Sequence, residues 1–178
     1  MHFSERPVRV WANAFYGPPR GITFKMYSSP ITAVKNLDDF ICFAGSGPVV
    51  LIYDLREHKC IAKEILLRSS VIHGFETRQI SPHDWYVVIF GQRAFTIIKW
   101  SNLNSTFEIV VEQISSPSWL LSAYVWQFNH IEQTITVLFG TALNQIYQFV
   151  FNKEKNLKDL TLLKSFDYTT LYPINYLF

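Results

Sequence analysis

At 178 residues, with 49% hydrophobic, 16% aromatic and only 17% charged side chains, the chain excludes intrinsic disorder and is long enough for one domain with a real core. A formal net charge of +2 is too small to argue for nucleic acid from bulk electrostatics, although a local basic face stays compatible with it. Glu5, Arg6 and Arg9 fall where a secretory signal needs its apolar centre, so the expectation is a cytoplasmic protein with Cys42 and Cys60 as reduced thiols.

Residues 1–29 read as an N-terminal extension. Tyr16-Gly17-Pro18-Pro19-Arg20-Gly21 is a loop, because two prolines deny hydrogen bonds to helix and ladder alike. Ile22–Tyr27 can form a strand, either lent to a sheet built elsewhere or loosely docked. From Pro30 the pattern sharpens. Ile31–Val34 predicts a strand and Asn36-Leu37-Asp38-Asp39 a turn. Phe40–Ala44 and Val49–Tyr53 then flank the breaker cluster Gly45-Ser46-Gly47-Pro48. Short β-branched and aromatic runs around such a cluster predict a largely buried hairpin. After the turn Arg56–Lys59, Cys60–Leu67 predicts an edge strand interrupted by Lys63 and Glu64.

The same plan recurs twice. Val71–Ile80, Trp85–Phe90, Ala94–Trp100 and Phe107–Ile114 form a second set of strands. Leu121–Phe128, Thr134–Phe139, Asn144–Phe151 and Leu157–Phe166 form a third. Leu157, Leu160 and Leu163 would also suit one helix face, but repeat position favours a strand. Gln113–Ile131 and Gln133–Asn152 are uncharged and about as long as a membrane span. Polar residues such as Asn144, Gln145 and Gln148 interrupt them, so no membrane insertion is expected.

Phe43-Ala44-Gly45, Ile89-Phe90-Gly91 and Leu138-Phe139-Gly140 each end a second strand on glycine, and these turn glycines are 46 and 49 residues apart. That spacing is close to the roughly 40–45-residue blade of a WD-repeat propeller. The fold expected is therefore all-β: a WD-repeat-like β-propeller of about three degenerate four-stranded blades, at about 30–68, 70–114 and 119–167. Tyr53-Asp54 stands where the Trp-Asp dipeptide would, while Lys99-Trp100 and Gln148-Phe149 do not match it. Three blades cannot close a ring. Leu171–Phe178 reads as the first strand of a fourth, which makes the chain part of a truncated, incomplete ring.

Chemistry is sparse. His2, His58, His73, His83 and His130 show no metal-ligand spacing with Cys42 or Cys60. Asp38-Asp39 reads as a solvated turn. Gly45-Ser46-Gly47 lacks the Lys-Ser/Thr and helix of a phosphate loop, and no nucleophile elbow is present. No enzyme, metal or cofactor is expected. Propellers expose the loops between second and third strands, and between blades, on one face. Here these loops carry Arg68, Arg93 and Trp119 as candidate binding residues, suited to phosphate or carboxylate and to stacking or anchoring. Gly45, Gly47, Gly91 and Gly140 are expected to shape turns.

Phe43-Ala44-Gly45-x-Gly47-Pro48-x-x-Leu51-x-Tyr53, Ile72-His73-Gly74-Phe75 and Val88-Ile89-Phe90-Gly91 resemble the N-terminal blades of the WD-repeat-containing protein six family. Ser118-Trp119 and Trp126 are similar too. The resemblance covers about Pro30 to the end. It implies a non-catalytic scaffold that partners a tRNA ribose 2′-O-methyltransferase and helps position tRNA for methylation of wobble nucleotide 34. S-adenosylmethionine would belong to the partner enzyme. The competing expectations are a generic protein-interaction propeller in ubiquitin ligation or vesicle traffic, and an independent RNA binder.

Overall fold

The computed structural model describes residues 8–11, 21–24, 30–45, 49–68, 71–129 and 131–166. Among them there is no helix, and none that could cross a membrane. Gly47, His2, His130 and Leu171–Phe178 lie outside the described residues.

Strands β1 (Val8–Trp11) and β2 (Gly21–Phe24) pair with each other as an antiparallel hairpin. The Ile22 strand is therefore not lent to a distant sheet; its ladder partner is local. Sheet 1 follows as β3 (Ile31–Leu37), β4 (Phe40–Gly45), β5 (Val49–Asp54) and β6 (Lys59–Ile65). Sheet 2 is β7 (Ile72–Gln79), β8 (Asp84–Gly91), β9 (Ala94–Ser101) and β10 (Thr106–Ser115). Sheet 3 is β11 (Leu120–Asn129), β12 (Thr134–Thr141), β13 (Gln145–Asn152) and β14 (Leu157–Ser165). Each sheet is an antiparallel meander with its strands in chain order. The first turn is shorter than its sequence suggests, because Asn36 and Leu37 continue β3 and only Asp38-Asp39 turns. Asp38 takes a positive φ of 58°, which a short polar side chain tolerates.

The sheets stack face to face, and the first strands β3, β7 and β11 are neighbours across the stack. Between sheets 1 and 2 lie Phe40, Cys42, Val50, Ile52, Val87, Ile89, Ile98 and Trp100. Between sheets 2 and 3 lie Tyr86, Val88, Phe90, Phe95, Ile97, Val137, Phe139 and Phe149. Phe95 meets Phe139 and Phe149 with ring centroids 4.6 and 4.8 Å apart. Alternation explains the division, since Val87 and Ile89 point one way and Tyr86, Val88 and Phe90 the other. Sheet 2 is covered on both faces, which is why Trp85–Phe90 is continuously apolar.

The register corrects the glycine alignment. Ile31 pairs with Gly45, Ile72 with Gly91, but Leu120 pairs with Thr141. Gly140 is therefore the counterpart of Ala44 and Phe90, and it sits inside β12 opposite Ser122 and Ile146. The loops after these strands differ in length, so spacing from the glycine drifts by one. Within a strand, a one-residue offset moves a side chain to the other face.

Candidate functional site

The motif Ile72-His73-Gly74-Phe75 builds the seam between sheets. Ile72 and Phe75 are buried in the core. The His73 Nδ1 lies 2.7 Å from the Leu120 carbonyl oxygen; a carbonyl only accepts, so Nδ1 donates. The same position in sheet 1 is Thr32, whose hydroxyl donates to the Ile72 carbonyl at 2.7 Å. One side chain on each of β3 and β7 thus latches the next sheet. Gly74 is required by space: a Cβ there would stand 2.6 Å from the tip of the buried Phe90 ring.

At one end of the stack, backbone hydrogen bonds join neighbouring loops. Gln92 N donates to Val71 O at 3.2 Å, Ser116 N to Arg93 O at 2.8 Å, Ala142 N to Trp119 O at 3.0 Å, and Phe166 N to Asn144 O at 3.0 Å. The structure therefore brings Arg93 and the 116–119 loop together at this end. Arg93 is exposed. Trp119 is 46% exposed, and its ring packs against His73 with centroids 6.0 Å apart. Arg68 belongs to the same end. Its backbone N–H donates to Gln113 Oε1 at 2.7 Å, and it lines a cavity of about 440 Å³ with Leu66, Thr96, Ile109, Glu112 and Gln113. Two bulges in β10 bend the strand that walls this cavity. Among the described residues, neither the Arg68 nor the Arg93 guanidinium has an ion-pair partner. Both remain available to a carboxylate or phosphate. Gly45 and Gly91 close their strands beside these loops; Gly140, as noted, lies in the ladder.

Three further residues at this end carry no motif and escape a sequence reading. Leu143 is 45% exposed on the loop that bonds Trp119, and Phe166 is 38% exposed where β14 ends. Lys164 Nζ lies 5.8 Å from the centre of the Phe166 ring. Their common location follows from the loop-to-loop hydrogen bonds alone.

The opposite end has a cleft of about 260 Å³ between sheets 2 and 3. Its charges pair internally: Lys99 with Asp84 at 3.1 Å and Lys153 with Glu108 at 3.8 Å. Burial opposes ionisation of Asp84, but hydrogen bonds from Ser101, Lys99 and Ser81 outweigh it and hold the carboxyl below its ordinary value. The Tyr86 hydroxyl is pushed up by burial, then by Glu108 and Asp84. Burial pushes the Cys42 thiol up to about 12, so it is protonated and inert at neutral pH. Among the described residues, no group of three His, Cys, Asp or Glu side chains is placed to hold a metal ion.

No family model and no curated protein matches the chain. Among solved structures the fold is similar to two computationally designed proteins. The crystal structure of Ika4 matches with a TM-score of 0.53 and 14% identity, over 79% of this chain and 74% of that one. The crystal structure of Ika8 matches with a TM-score of 0.59 and 14% identity, over 92% of this chain but only 46% of that one. At such identity the likeness is one of fold: stacked antiparallel sheets in an all-β chain.

Proposed function

We propose that the chain is a non-catalytic WD-repeat scaffold whose three sheets are degenerate blades of an incomplete propeller, and whose loop end meets a partner protein. The observation that carries this reading is the exposed Arg93, with no ion-pair partner among the described residues, on a loop whose backbone bonds the 116–119 loop that carries the half-exposed Trp119. Arginine and tryptophan in that setting are anchor residues for binding. Three consecutive meanders, the first two each latched to the next through their first strands, support the blade reading.

The resemblance of Phe43–Tyr53, Ile72–Phe75 and Val88–Gly91 to WD-repeat-containing protein six supplies the partner. It is the tRNA ribose 2′-O-methyltransferase that modifies nucleotide 34. In this reading the scaffold positions enzyme and tRNA in the cytoplasm, and the partner binds S-adenosylmethionine. The test is affinity capture of the tagged full-length protein from cells, followed by mass spectrometry. Co-purification of a ribose methyltransferase at stoichiometric yield is expected. Recovery of ubiquitin-ligase or vesicle-coat subunits in its place would overturn the assignment.

A further inference from the structure

Sheet 1 buries a face that no described sheet covers. Ile41, Leu51 and Tyr53 are 7%, 1% and 6% exposed, and they cluster with Ile31, Val49, Leu55 and Cys60. Every described member of that cluster belongs to sheet 1 or to the turn at Leu55. Alternation turns this face away from sheet 2, which meets Phe40, Cys42, Val50 and Ile52. By register, Ile41 and Tyr53 are the counterparts of Val87 and Ile98 in sheet 2, and of Val137 and Phe149 in sheet 3. Those are residues through which sheets 2 and 3 each meet the sheet before them. Sheet 1 therefore carries, and buries, the face that joins a sheet to its predecessor.

Neighbours within the sheet do not account for that burial. Leu138 lies between two strands, on the face of sheet 3 turned away from sheet 2, and is only half-buried. Leu51, also between two strands, is shielded almost completely, which takes a further layer. The burial is that of a single chain, so the layer comes from this chain. Residues 167–178 follow sheet 3, which sheet 2 separates from sheet 1. The stretch 1–29 leads directly into sheet 1 and contains β1 and β2. There Val8 pairs with Phe24 and Val10 with Ile22. Alternation assigns these four apolar residues to one face of the ribbon, and Arg9, Trp11 and Thr23 to the other. A ribbon of two four-residue strands is marginal in water unless an apolar face is packed.

We propose that the Val8, Val10, Ile22 and Phe24 face of the β1–β2 ribbon packs over Ile41, Leu51 and Tyr53 and takes the place of a preceding sheet. The chain's own first segment then seals sheet 1, and that side of the stack is closed to other proteins. This inference does not depend on the partner assigned to the scaffold.

The test labels the two cysteines of the full chain with a maleimide mass tag. Cys60 lies half-buried beside Tyr53 on the sealed face, and Cys42 is fully buried between sheets 1 and 2. Cys60 therefore reports the ribbon and Cys42 reports global opening. Val10→Asp combined with Ile22→Asp should speed Cys60 labelling about tenfold or more while Cys42 stays unlabelled. Arg9→Asp combined with Thr23→Asp, on the other face of the ribbon, should leave both rates unchanged. An unchanged Cys60 rate in the first variant, or an equal rise in the second, overturns the proposal. Should the first variant also open Cys42, as unfolding would, a chain carrying p-benzoylphenylalanine in place of Phe24 decides. Irradiation should cross-link it within segment 41–53; a cross-link elsewhere, to a second molecule, or none at all overturns the proposal.

Discussion

On sheet 2, the face turned toward sheet 3 carries Tyr86, Val88 and Phe90 on β8 and Phe95 and Ile97 on β9, each less than one-tenth exposed. The register-equivalent positions on the far face of sheet 3 hold Thr136, Leu138, Gly140, Ile146 and Gln148, of which Leu138, Ile146 and Gln148 are half-buried. The latch changes with the face. Thr32 and His73 each bond the next sheet, whereas their counterpart on β11 is Leu121, which has no side-chain donor. One backbone plan thus carries two different commitments: sheet 2 is built to be covered on both sides, and the far side of sheet 3 is not built in the same way.

The largest contrast is expected in the aromatic core. Phe95→Ala should cost about 3–5 kcal/mol, because Phe95 is fully buried against Phe139 and Phe149. Its counterpart change Ile146→Ala should cost about 1 kcal/mol. Urea unfolding of the two variants measures both, and equal losses would abolish the distinction between the faces. Next comes Gly74→Ala, whose methyl collides with the Phe90 ring and should cost about 1–3 kcal/mol. That penalty should vanish in a Phe90→Ala background, a non-additivity readable in a double-mutant cycle.

Removing the latch is a smaller step. His73→Ala strips one buried-seam hydrogen bond and should cost about 1–2 kcal/mol, while Leu121→Thr should stay within about 0.5 kcal/mol. Thermal melts showing the reverse order would argue that the far face of sheet 3 is the more tightly covered one. The smallest effect concerns acid. The folded Asp84 carboxyl ionises below its ordinary value, so its contribution is complete above the unfolded pKa of about 3.9 and disappears as pH falls through the depressed folded value. Asp84→Asn should therefore lower stability by well under about 1 kcal/mol at pH 7 and make no difference below that window. A pH series of melts on both proteins checks the sign.

Much of this was legible in the residues. Period-two alternation and breaker clusters placed every strand of the three sheets to within a few residues, including β14, whose leucines also suited a helix. The loop positions were legible too, since Arg68, Arg93 and Trp119 all lie at strand ends on one end of the stack. The blade phase was less so. Gly140 stands after Phe139 as Gly91 stands after Phe90, yet it pairs one step earlier, because loop length is invisible to a count made from glycine to glycine. His73 and Gly74, which the sequence showed only as part of a family-like motif, proved to be a latch and a space for a ring.

By itself the sequence determined an all-β chain of three repeated meanders, because hydrophobic period and turn chemistry are local and survive any arrangement of the sheets. It also determined that Arg93 and Trp119 would be loop residues. Only the tertiary structure decided which faces meet, which residue latches each seam, and that Leu143, Phe166 and Lys164 share the end of the stack that carries Arg93 and Trp119. Those facts depend on register and on hydrogen bonds between residues 20 or more positions apart, and no local pattern encodes them.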